Sequence, residues 1–113
     1  MNTAVMHLGL AAVVFAPAPD DVPLSVITSD HAIDAQVALH ALPDEDRIAA
    51  WRRVFTAVGE QHGDTPWTFY LTPYGDGRGN VRALHRFDGV ITSVWTALED
   101  TEAAAGLLPE VEQ

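Results

Sequence analysis

Five histidines, His7, His31, His40, His62 and His85, are the residues in this chain best suited to hold a metal or move a proton. No two have the H-x-H or H-E-x-x-H spacing that sets a pair of imidazoles on one side of a strand or helix. A metal site would therefore have to be assembled in space, and the only local grouping is Asp30, His31 and Asp34, which polar turn chemistry already explains. Ser25, Ser29 and Ser93 lack a nucleophile-elbow context. The chain has no Cys, which excludes thiolate metal sites, disulfides and Cys nucleophiles. Asp44 and Asp46 have the types for paired acid-base work, but carboxylates there also favour the start of a helix. The expectation is a protein with no catalytic residue, no metal site and no cofactor.

Two features remain, a glycine-rich loop and a concentration of arginine. Gly75, Gly77 and Gly79 around Arg78 could wrap an anion with backbone amides. The spacing matches neither a Walker loop nor a dinucleotide fingerprint, and a strand follows instead of a helix, so a hairpin connection is the simpler account. The stretch GRGNVRALHRFDGVITSVW, residues 77–95, holds three of the six Arg in a chain of net charge -10. Asp88-Gly89 suits a two-residue type I′ turn, and counting back from it fixes the register. Phe87 faces Val90, His85 faces Thr92 and Ala83 faces Val94 on one side; Arg86 faces Ile91, Leu84 faces Ser93 and Arg82 faces Trp95 on the other. The last pair suits guanidinium-on-indole stacking. Arg82, Arg86 and Trp95, with Arg78 and Tyr74 from the preceding loop, form a candidate protein-contact face.

The elements that must carry this face can be read from periodicity. The apolar run Val5–Phe15 lacks the cation that begins a secretory signal, is interrupted by His7 and is too short to span a bilayer; it is expected to be a buried strand. Val22–Thr28 reads as a second strand. Ile33, Ala35, Val37, Leu39 and Ala41 alternate with polar residues, which favours a strand over a helix and a hairpin turning at Ser29-Asp30. Ile48, Trp51, Phe55 and Val58 fall on one helical stripe, with Asp44 the expected N-cap and Gly59 or Gly63 the stop. Arg47, Arg52 and Arg53 are expected on the opposite side or flank, and Trp51 as the largest anchor. A meander follows, in which Trp67, Phe69 and Leu71 share a face before the hairpin over 81–95. A short Ala-rich helix ends near Leu108. One α+β domain over 1–113 is expected, with antiparallel sheets and hairpins packed on one main amphipathic helix and a short C-terminal helix.

All six cations are Arg, against sixteen Asp and Glu, so the long-range field repels phosphate and disfavours nucleic acid. The acids lie mostly in loops and helix ends, which fits a solvated surface in a cytoplasmic protein with no membrane insertion. A second reading of the same charge is an acidic phage or immunity-type inhibitor that mimics nucleic acid to block a partner protein.

The order of these elements resembles the SsgA-like proteins, small regulators of cell division and sporulation in filamentous actinomycetes. The likeness runs from MNTAV and HLGLAAVVF to the strand ending at His40, and through Trp51, Arg53, Phe55 and Gly59 of the main helix. Phe69, Leu71 and Pro73 are similar to the family's V-x-V-x-P strand. Gly77, Gly79, Val81, Ala83 and Leu84, then Asp88-Gly89, follow its loop and hairpin; Leu98, Thr101, Leu108 and Pro109 resemble its ending. The resemblance implies a whirly-like fold assembled as a trimer, without catalytic activity. It also implies an adaptor at division septa, linked to the tubulin-like division protein FtsZ or a related septum protein.

Overall fold

The computed structural model describes residues 3–29, 31–39, 41–63, 66–87 and 89–111, with side chains from Gly9 onward. Its elements in chain order are α1 (Thr3–Val14), β1 (Leu24–Thr28), β2 (Ala32–Val37), α2 (Asp44–Gln61), β3 (Thr68–Pro73), β4 (Gly79–Phe87), β5 (Val90–Leu98) and α3 (Thr101–Ala104), which runs on into a 3-10 turn over Ala105–Leu107. The five strands form one sheet in the order β1-β2-β5-β4-β3. Every neighbouring pair is antiparallel except β2 with β5, which is parallel. The protein is α+β, with one main helix and a short C-terminal helix, as the periodicity predicts.

The expected strand over Val5–Phe15 is instead α1. A run whose one polar side chain is His7 cannot be assigned by periodicity, and its length of about a dozen residues is that of a helix. The hairpin expected at Ser29-Asp30 is present, with β1 and β2 paired from Leu24↔Val37 to Thr28↔Ile33. Ser29 closes it, its amide donating to Ala32 O at 2.9 Å and its Oγ accepting from Ala32 N at 3.1 Å; Asp30 lies outside the described residues. Ile33, Ala35 and Val37 are buried on one side of β2, as their alternation requires.

All three helices lie on one side of the sheet, and α2 makes the core. Trp51, Val54 and Val58 are fully buried against Val37, Val81, Ala83, Val94 and Leu98, with Val14 of α1 and Ala104 of α3 closing the ends. Trp51 donates its indole N–H to the Val94 carbonyl at 2.8 Å, pinning α2 to the central strand. Trp51, Phe55 and Phe69 meet edge-on or tilted at centroid distances of 4.7–5.8 Å, an arrangement that favours each ring quadrupole.

Two expectations for α2 change. Pro43, in extended conformation, is the N-cap, and Asp44 is the first helical residue. The Asp44 carboxylate turns away from its own helix to accept the amides of Glu99 and Asp100 at 2.9 and 3.0 Å. Arg47, expected on the outer flank, is buried at 4% exposure. Its guanidinium donates to Leu42 O at 2.8 Å and Ala97 O at 3.2 Å and pairs with Glu99 at 3.4 Å. At the other end Gly63, at φ +83°, terminates the helix in the left-handed conformation that only glycine adopts without strain.

Candidate functional site

Since successive side chains on a strand alternate sides, the residues facing away from α2 follow from the pairing. They are Ser25 and Ile27 on β1, Ala32, Asp34 and Gln36 on β2, and Ile91, Ser93, Trp95 and Ala97 on β5. The same face continues through Asn80, Arg82, Leu84 and Arg86 on β4 and Thr68, Tyr70 and Thr72 on β3. No described element covers this face. One row crosses the whole sheet as Ser25, Gln36, Trp95, Arg82 and Tyr70, and a second as Ile27, Asp34, Ser93, Leu84 and Thr68.

The register read from Asp88-Gly89 holds at every pair from Phe87↔Val90 to Arg82↔Trp95, and Gly89 stands at φ +79° as the turn requires. Asp88 lies outside the described residues. Arg82 sits over the Trp95 ring with Cζ 5.9 Å from its centroid. Its Nη1 also reaches Asp34 Oδ1 and Ser93 Oγ, both at 3.3 Å. Ser93 donates its hydroxyl to the same Asp34 oxygen. Ser93 is therefore buried on an otherwise open face, under the Arg82–Asp34 bridge. The bridge spans three strands, from β2 across β5 to β4, and holds the Arg82 guanidinium over the indole.

Of the five residues expected to form the contact face, Arg82 and Trp95 meet directly. Arg86 shares the face beyond Leu84, two alternations further along β4, is exposed, and makes no ion pair among the described residues. Arg78 does not join them. It lies in the connection between β3 and β4, where its backbone N–H, Nε and Nη2 all donate to Asp76 at 2.7–3.1 Å. Those hydrogen bonds hold the Asp76 carboxyl below the usual carboxylate range. Gly75 and Gly77, at φ +93° and +90°, let the loop close as Tyr74 N donates to Arg78 O at 2.8 Å, so the loop's geometry is that of a hairpin connection. Tyr74 touches the face through its hydroxyl, which accepts from Asn80 Nδ2 at 2.8 Å.

Asp34 and Ser93 near the centre of this face, and Tyr70 on its β3 edge, were not singled out as contact residues by sequence. The alternation on β2 shows that Asp34 points away from the core. That it lies beside Ser93 depends on the parallel β2–β5 pairing, for which no local signal exists. Of the grouping Asp30, His31 and Asp34, Asp30 lies outside the described residues; His31 is exposed at the hairpin turn, and no cluster of three His, Asp or Glu among the described residues could hold a metal ion. No described helix is long and apolar enough to cross a membrane.

Among the described residues, the face carries the charged side chains of Arg82, Arg86 and Asp34, a local positive surplus on a chain of net charge -10. It combines an indole, a phenol, two guanidiniums and the aliphatic side chains of Ile27, Leu84 and Ile91. Its indole, phenol and guanidiniums are the residue types that dominate binding energy at protein interfaces. No family model, curated protein or solved structure matches the chain.

Proposed function

We propose that this protein is a non-enzymatic adaptor that binds a protein partner through the open face of its sheet. The observation that supports the reading is the bridged Asp34–Ser93–Arg82 cluster, which holds a guanidinium and an indole in fixed orientation at the centre of an uncovered face. Prepaid ordering of this kind lowers the entropy cost of docking. The surplus of arginine selects a partner surface that offers carboxylates beside apolar side chains. With the SsgA-like resemblance, the partner is FtsZ or a related septum protein, and the site of action is the division septum of an actinomycete during sporulation. Localisation of a fluorescent fusion tests it. The wild-type chain should mark septa and the Arg86→Glu variant should spread through the cytoplasm with its circular dichroism unchanged. Wild-type fluorescence spread evenly through growing and sporulating hyphae would sink the septal reading, and an unaltered R86E pattern would sink the role of the face.

A second reading has one observation in its favour. Asp44, Glu45 and Asp46 at the start of α2 gather with Glu99, Asp100 and Glu102 at one end of the fold, joined through the bonds from the amides of Glu99 and Asp100 to Asp44. That acidic end suits an inhibitor that occupies a basic site on a phage or host protein. Asp44 and Asp100 are, however, both engaged by their own backbone, Asp100 capping α3 through the amide of Ala103 at 3.1 Å. Charge reversal at Glu45 and Glu102 separates the two readings: it abolishes binding by an acidic inhibitor and leaves binding through the sheet face intact.

A further inference from the structure

The strand order leaves β1 and β3 as the sheet edges, and the two are defended differently. An open edge presents unpaired N–H and C=O groups, which proteins usually guard with charge, proline or a short length. A proline precedes each edge strand, Pro23 before β1 and Pro66 before β3, but only β3 also ends on one, Pro73. β1 reads LSVIT, with no charge and no proline within it, and exposes Val26 at 40% and Ile27 at 68%. Beside it lies α1, whose sequence TAVMHLGLAAVV contains no charged residue on any side. Its last turn, Ala11 to Val14, is wholly apolar, and exposed apolar surface of this kind marks an interaction site when it is contiguous; Val13 is 63% exposed. Between the two elements runs an apolar groove of about 330 Å³ lined by Ala11, Ala12, Phe15, Ala16 and Val26.

Charge decides what covers this surface. Two copies of a chain of net charge -10 repel wherever acidic surfaces meet. Residues 9–19 and 22–29 carry no ionisable Asp, Glu or Arg, so this is the surface on which two copies approach without that repulsion. An antiparallel strand pair is also its own two-fold mate. Centred on Val26, self-pairing of LSVIT sets Leu24 opposite Thr28 and Ser25 opposite Ile27, with no like charges in register. We propose that β1 and α1 form a self-association surface: β1 pairs antiparallel with β1 of a second copy, and α1 packs on the second copy's α1 across the same axis. The two sheets then continue as one ten-stranded sheet with both open faces on the same side. The inference stands independently of the partner proposed for that face, and its two-fold pairing differs from the trimer implied by the SsgA-like resemblance.

Light scattering on the full chain across a range of concentrations tests it. The wild type should run as a pair of about 24 kDa, twice the 12.2 kDa chain. Ile27→Lys introduces the charge that natural edges use and should weaken association at least about tenfold, giving the single-chain mass. Thr72→Lys, on the opposite edge, should remain paired. A wild type that stays monomeric at every concentration, a trimer mass, a pair that survives I27K, or a pair lost in T72K each overturns the proposal. Hydrogen exchange on the unmodified chain guards against a variant that misfolds. Amides of residues 24–28 should gain protection as concentration rises, and protection that does not change with concentration overturns the proposal equally.

Discussion

Arg82 does more than decorate a surface, and its substitution separates structure from recognition. Arg82→Glu would set a second carboxylate beside Asp34 and uncover Ser93, costing about 1 kcal/mol and lowering the melting temperature by several degrees. Arg86, exposed and without an ion pair among the described residues, can be reversed with a stability change within about 0.5 kcal/mol. Partner binding should fall in both variants, and thermal melts should distinguish them, with only R82E shifted. Trp51 offers a contrasting test. Trp51→Phe keeps most of the ring but removes the donor to the Val94 carbonyl, and should cost about 1–3 kcal/mol in urea unfolding. The exposed pairs act through titration instead. Asp21 accepts both Arg53 guanidinium N–H groups at 2.9 Å, and its pKa is lowered from 3.8 chiefly by that hydrogen bond; Asp76 is lowered chiefly by the side chain of Arg78. A carboxyl depressed on folding contributes stability above its unfolded value that is lost as pH falls through the folded one. Both pairs are therefore intact through neutral pH and release only in acid. Carbon-detected titration should place both carboxyls below 3.8 and raise Asp21 in Arg53→Ala.

Local chemistry fixes some elements, while others are fixed only by what they pack on. Gly79 opens β4 where a Cβ would collide with the Thr72 carbonyl and come within 2.7 Å of Thr101 Cγ2. Gly79→Ala should cost about 1–3 kcal/mol by pushing β3, β4 and α3 apart, which a denaturation midpoint will show. Arg47 clamps the start of α2 to the end of β5 and to the turn at Leu42 through three separate acceptors. Arg47→Lys, a point donor on a flexible stem, cannot reach all three and should not rescue the loss produced by Arg47→Ala. Circular dichroism melts of the two variants test that expectation. The β4–β5 hairpin was legible because Asp88-Gly89 sets a two-residue turn and register then follows by counting. β2 was legible because one side of it is buried. α1 was not, because an apolar run broken only by His7 contains no period to read. Arg47 was misplaced because its burial is created by Ala97 and Glu99, fifty residues further along the chain. Asp44 was mistaken for a cap for the same reason, since its acceptors are used by a distant segment.

For the molecule as a whole, the sequence disclosed its layers but not the order in which they join. The apolar stripe on α2 and the alternation of the strands imply a helix layer on one sheet, and that is the observed architecture. The parallel pairing of β2 with β5 is the step that no local pattern could announce, and it is also what places Asp34 beside Ser93 and Arg82. The last strand in the chain is thus the middle strand of the sheet, joining the β1–β2 hairpin to the β3–β4 pair. Unfolding should therefore be a single cooperative transition that far-ultraviolet dichroism and Trp fluorescence report at the same denaturant concentration. During synthesis the consequence is sharper. A nascent chain that has emerged only as far as Phe87 holds two half-sheets with nothing between them, each exposing a bare inner edge and an unfilled core. Until β5 emerges and slots between them, every growing copy is a client for the cell's chaperones.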